Sequence, residues 1–355
     1  MKAERLNRKT HLKKLSTKPA SETIFHDLTE PEQPGGGEDQ SFALESLIND
    51  KEISKEALEA LPHAFQDERD VLAWCVMLLS ESPQANALIK DAAKKGWTVG
   101  LCDLNSDGFY LDVVKKQIWL DYFMLTPSAL GRSLYFRSAL VTTFIRALRD
   151  VWHEHRVGAF EERYSPEDVL MLERVRSADC DTATVFVAWE LRGAGFGETW
   201  RHLLGSEEGD MAIIFTRFLE RDPGALFSGT ALAYAFRQWY ANESRVDGCD
   251  HDTLESLDDI LLAAGCQNPF GKSSLTAKDV ETLSTLPDGT VYLSGMGDTV
   301  LCDPFFSGMH DEINQTHLFH LMYDLEVTMV ANVPFRDRGL ARKIFPEGEI
   351  VTGRL

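Results

Sequence analysis

No two cysteines in this sequence stand in a C-x-x-C pair. The six present, Cys75, Cys102, Cys180, Cys249, Cys266 and Cys302, are scattered over 355 residues. Spacing therefore gives no sign of a zinc ribbon or finger, and a chain this long with 44% hydrophobic residues can bury a core without a disulfide framework. The thiols read as reduced, which points to a cytoplasmic protein. No apolar run of about 18 residues occurs, so no membrane-spanning helix is expected. The first residues lack the apolar stretch of a secretory signal. Positive charge is also short: 36 Lys and Arg face 56 Asp and Glu, a formal net charge of −20. Phosphate contacts need a basic face, so nucleic acid is not an expected partner, whereas a protein with a basic surface is compatible. The sequence has no GxGxxG, no GxxxxGK[ST] and no GxSxG. Gly193-Ala-Gly-Phe-Gly197 is too loose a match and follows a helical pattern rather than a strand.

What is present reads as a mainly helical α+β chain. Residues 1–40 form a tail, basic and then acidic, with seven Lys or Arg against one acid in the first twenty. Residues 41–96 read as an N-terminal helical layer, in which Ser82-Pro83 opens a helix that closes at Lys94-Lys95-Gly96. Over 97–122 the period changes to that of three short strands, expected to form an antiparallel meander. A long helix over 133–156 follows, and a second opens at Ser165-Pro-Glu-Asp168 and runs to about Arg192. Helices are then expected over 210–220, 230–242 and 252–264. The last part, 266–355, mixes turns, a strand over 290–293 and a helix over 311–325.

The helix over 133–156 organises the rest. Leu140, Phe144, Ala147, Leu148 and Val151 form a core-facing stripe. On the other side Ala139, Thr142, Thr143, Arg146, Asp150 and His153 fall together, a face of small residues ending in ionisable ones, which suits the wall of a cleft. In the next helix Asp179 shares a face with Leu172, Val175, Ala183 and Phe186, so it needs a partner out of water, while Asp181 points roughly the other way. Helical geometry makes Arg146 the expected partner of both Asp150 and Asp179, with Arg149 and His153 as fallbacks.

The stretch Phe144-Ile-Arg-Ala-Leu-Arg-Asp-Val-Trp-His153 resembles the active helix of a family of uncharacterised bacterial proteins classed as metallopeptidases, which carries His-Glu-Leu-Arg-His-Ala-Trp-Gln at this point. Leu148, Arg149 and Trp152 agree with that pattern. The two histidines of the zincin HExxH motif become Arg146 and Asp150, and its glutamate becomes Ala147. The resemblance covers about 97–265, including Val187-Ala-Trp-Glu-Leu191, Gly209-Asp-Met-Ala212 and Ala231 to Tyr240. It implies a zincin-like core over that region, with the third-ligand position near Ser177 to Asp181, uncertain by about two residues.

A zincin needs two imidazoles one turn apart, a third ligand and a glutamate beside the metal-bound water. Arg146 has no lone pair to offer a metal and Ala147 cannot move a proton. The sequence thus favours a non-catalytic protein with a structural or interaction role and no cofactor. The alternative is a metal-dependent hydrolase with rearranged ligands, Asp150, His153, Glu154 and Asp179. That set would suit manganese or magnesium better than zinc. His317 and His320, three residues apart on the last long helix, read as packing or surface residues.

Overall fold

The computed structural model describes residues 40–49, 54–105, 108–156, 163–264, 268–326, 328–330, 333–335, 338–346 and 350–352. The basic tail lies outside these residues.

The N-terminal part is a helical layer laid on a small sheet. Its helices are α1 (Leu44–Ile48), α2 (Lys55–Ala60), α3 (Glu68–Ser80) and α4 (Pro83–Lys94). The Ser82 hydroxyl accepts from the Ala85 amide with Pro83 at the first helical position, as the sequence implies. Strand β1 (Ser41–Ala43) is too short to carry a sequence signal. It joins β2 (Thr98–Cys102), β3 (Phe109–Asp112) and β4 (Gln117–Asp121) in the order β1-β2-β4-β3.

The three expected strands are present, but they do not form a meander. β3 and β4 make an antiparallel hairpin, and β2 runs parallel to β4. β4 therefore lies inside the sheet, where Ile118 and Leu120 are fully buried. Gly100 of β2 faces Trp119 of β4, and a Cβ at 100 would run into that indole ring. Tight pairing of β2 with β4 thus depends on glycine.

After α5 (Pro127–Arg132) come the two long helices, α6 (Leu134–Arg156) and α7 (Pro166–Gly193). Ser165 caps α7 by accepting from the Asp168 amide. The remaining helices are α8 (Glu198–Leu204), α9 (Gly209–Arg221), α10 (Thr230–Trp239), α11 (Glu243–Ala264), α12 (Ala277–Leu283), α13 (Gly297–Cys302), α14 (Pro304–Ser307), α15 (Glu312–Glu326) and α16 (Arg338–Ile344). The short strands β5 (Thr328–Val330), β6 (Val333–Phe335) and β7 (Ile350–Thr352) form a second sheet. No strand forms at 290–293. Thr285 and Val291 make a single bridge, and the segment around it is held by turns that aim Tyr292 inward.

Two buried apolar clusters meet at the long helices. One joins α1, α3, α4 and the first sheet to the α6 stripe, in which Leu140, Phe144, Ala147, Leu148 and Val151 are all buried. The other gathers Leu172, Val175 and Phe186 of α7 with Met211, Phe215, Phe236 and Trp239. Val187 and Leu191 of α7 belong to the first cluster, so α7 is apolar on both sides and bridges the two. Thr182 and Thr184 fit this setting because their hydroxyls donate to the carbonyls of Ala178 and Cys180, four residues back.

Candidate functional site

The face of α6 opposite its apolar stripe is not solvated. Thr142, Thr143 and His153 are buried, and Arg146 and Asp150 are half-buried. α7 covers this face, and the charged residues of the two helices pair across the contact in three groups.

In the first group Arg146 Nε donates to Asp181 Oδ1 at 2.6 Å, and the same guanidinium pairs with Glu208. Trp239 Nε1 donates to the other Asp181 oxygen at 2.9 Å, and the Ser206 hydroxyl donates to Glu208. Two carboxylates that share one guanidinium titrate as a pair. Burial raises the Asp181 carboxyl against the pull of Arg146. Burial acts upward on Glu208 too, but Arg146 and Ser206 outweigh it and hold this carboxyl at about 2.

In the second group Arg176 of α7 pairs with Asp150, with Glu154 at 3.2 Å and with Glu173 at 3.5 Å. The third group is the most deeply buried: Arg149 is 0% and Asp179 1% exposed. Arg149 forks onto Asp179 with bonds of 2.6 and 3.0 Å and also donates to the carbonyls of Leu283 and Thr285. Asp179 further accepts from His153 Nε2 at 2.7 Å and from the Tyr292 hydroxyl at 2.6 Å. Burial would raise the Asp179 carboxyl, but Arg149 and His153 outweigh it and keep it far below the usual carboxylate range. Burial lowers His153 despite the neighbouring carboxylate, so the ring is neutral near neutral pH.

The structure therefore corrects the expected Arg146 network. Arg146 pairs with Asp181 and Glu208, Asp150 with Arg176, and Asp179 with Arg149 and His153. The reason lies in the rotation of the helices. Arg149 and His153 form a line about 60° around α6 from Arg146 and Asp150. That line faces residue 179, whereas the line of 146 and 150 faces 181 and 176. Within the rearranged ligand set, Arg176 engages both Asp150 and Glu154, and Asp179 accepts from Arg149, His153 and Tyr292. An oxygen of Asp150, a ring nitrogen of His153 and the Cys180 sulfur lie within 4.8 Å of one another. His317 is elsewhere, paired with Asp258 at 3.0 Å, and His320 is exposed on the surface.

Sequence reasoning did not pick out Arg176, Cys180, Glu208, Trp239 or Tyr292 as site residues. Cys180 and Arg176 lie in the stretch assigned to the third ligand, and a helical-wheel comparison of α7 with α6 would have brought both forward. Glu208 and Tyr292 are far along the chain and carry no local signal.

Residues 133–294 match the model of a family described as a putative metallopeptidase family. The match starts and ends later than the stretch 97–265, and it takes in every member of the three ion-pair groups. No curated protein and no solved structure matches the chain.

Proposed function

We propose that this chain, a member of that metallopeptidase family over residues 133–294, keeps the family scaffold without its peptidase chemistry and has a structural or interaction role. One observation carries the reading. Where the resemblance puts the two HExxH histidines stand Arg146, locked between Asp181 and Glu208, and Asp150, held by Arg176. The metal implied by the family does not fit there. A guanidinium keeps its proton and has no lone pair for a metal, and it already occupies the carboxylates a cation would need. Ala147, where the motif has glutamate, offers no base for a water.

The proposed setting is the cytoplasm, supported by the free cysteines among the described residues and by the absence there of any helix long and apolar enough to cross a membrane. The formal charge of −20 favours a protein partner with a basic surface.

A second reading, a hydrolase with displaced ligands, is favoured by the approach of Asp150, His153 and Cys180. Cleavage of a mixed peptide library, followed by mass spectrometry with added zinc or manganese and again with chelator, separates the two. The scaffold reading expects no cleavage above the protein-free blank. Chelator-sensitive cleavage that disappears in Asp150→Asn would establish the second reading instead.

A further inference from the structure

Among the described residues Asp150, His153 and Cys180 place three different ligand atoms around one point at the contact of α6 and α7. We propose that they bind one divalent cation of the borderline-soft class, zinc or cobalt(II), away from Arg146 at the Asp150 end of the motif, held through Asp150 Oδ, His153 Nδ1 and Cys180 Sγ.

The distances are close to those a tetrahedral ion requires. Nδ1 lies 3.9 Å from Asp150 Oδ1 and 3.9 Å from Cys180 Sγ. Bonds of about 2.0 Å to nitrogen or oxygen and about 2.3 Å to sulfur put tetrahedral ligands roughly 3.3 to 3.5 Å apart. The two pairs that share Nδ1 therefore close by about half an ångström, about what a small side-chain rotation supplies, and the Asp150 oxygen and Cys180 sulfur lie within 4.8 Å of each other.

The imidazole is already oriented for the task. Asp179 is an ionised carboxylate and can only accept, so His153 Nε2 carries the proton and Nδ1 keeps its lone pair toward Cys180 and Asp150. A ligating histidine held by a carboxylate on its other nitrogen is the usual support for a metal. Here that carboxylate is itself fixed by Arg149 and Tyr292. Around the site Asp150, Glu154, Glu173 and Asp179 are paired with two guanidiniums, Arg149 and Arg176. Arg176 competes for Asp150, but it holds Glu154 and Glu173 as well, so it keeps two carboxylates when a cation takes the third. A thiolate and an imidazole select zinc or cobalt over manganese or magnesium.

Cys180 is a free, buried cysteine, and a thiol ligates a metal only after losing its proton. Binding then follows a balanced step: the Cys180 S–H bond breaks, the sulfur–metal bond forms with the sulfur pair, and one proton leaves to buffer.

Metal-free full-length protein titrated with cobalt(II) tests this. The expected result is saturation at about one equivalent, a sulfur-to-cobalt charge-transfer band in the near ultraviolet, and release of about one proton by calorimetry in two buffers. Cys180→Ala should lose the band and bind at least about tenfold more weakly, and His153→Gln should weaken binding to a similar degree. Should either variant fail to fold, the band and the proton count of the unaltered protein decide. Cobalt binding without the band, a band that persists in Cys180→Ala, or no saturable binding would overturn the proposal. A positive result without peptide cleavage leaves the scaffold reading standing.

Discussion

Asp179 is an anion taken fully out of water, and four donors from three residues compensate it: two from Arg149, one from His153 and one from Tyr292. Removing one member of such a group exposes the rest to an uncompensated buried charge, which costs about 3–5 kcal/mol. Arg149→Met should therefore lower stability by that amount in urea unfolding. Arg146→Met should cost less, because its partners Asp181 and Glu208 lie nearer to water. Equal losses would mean that depth of burial does not rank the three groups. His153 adds a pH dependence. In the unfolded chain a histidine takes a proton near about pH 6.5, whereas burial makes the folded one resist it. The unfolded state thus binds more protons below that point, and stability falls as pH falls from about 7 to 5. The depressed Asp179 acts in the same direction, but only below about pH 4, where unfolded aspartate protonates. His153→Gln, whose amide can still donate to Asp179, should flatten the thermal-melting profile between about pH 7 and pH 5. His155 and His202, both lowered by burial, should leave a residual slope. An unchanged profile would remove His153 from the account.

Helices α6 and α7 are where the ion pairs meet, and a double-mutant cycle reads which residues face each other. Arg146→Ala with Asp181→Asn should show a coupling of roughly 1–3 kcal/mol, while Arg146→Ala with Asp179→Asn should be additive within about 0.5 kcal/mol. The reverse pattern would restore the network expected from the helical wheel. Both helices were legible in the sequence, because a 3.6-residue stripe and a Ser-Pro start are local signals. Their mutual rotation was not. A wheel says that Arg146 and Asp150 share a face, but only packing decides which residue of α7 that face meets. The sheet gives the same lesson: three β-patterned stretches were readable, yet the parallel pairing of β2 with β4 rests on the fit of Gly100 to Trp119. Tyr292 makes it once more, since a strand pattern at 290–293 concealed a turn that brings its hydroxyl to Asp179. Reading Cys180 simply as a reduced thiol set aside its neighbours one turn away on the facing helix.

Among the described residues the two apolar clusters meet at the charged seam between α6 and α7. The family match takes in that seam and the helices from α8 to α12 that close around it. Across this contact the chain brings guanidiniums to carboxylates, and the seam lies between the two cores. Crystals of the full chain grown with zinc, with anomalous scattering collected at the zinc edge, test this most directly. The account predicts no zinc peak within about 3 Å of Asp181 or Glu208, with the Arg146 guanidinium between the two carboxylates. A peak at Asp150, His153 and Cys180 is compatible with it. A zinc ion on Asp181 and Glu208, with Arg146 swung out to solvent, would contradict it.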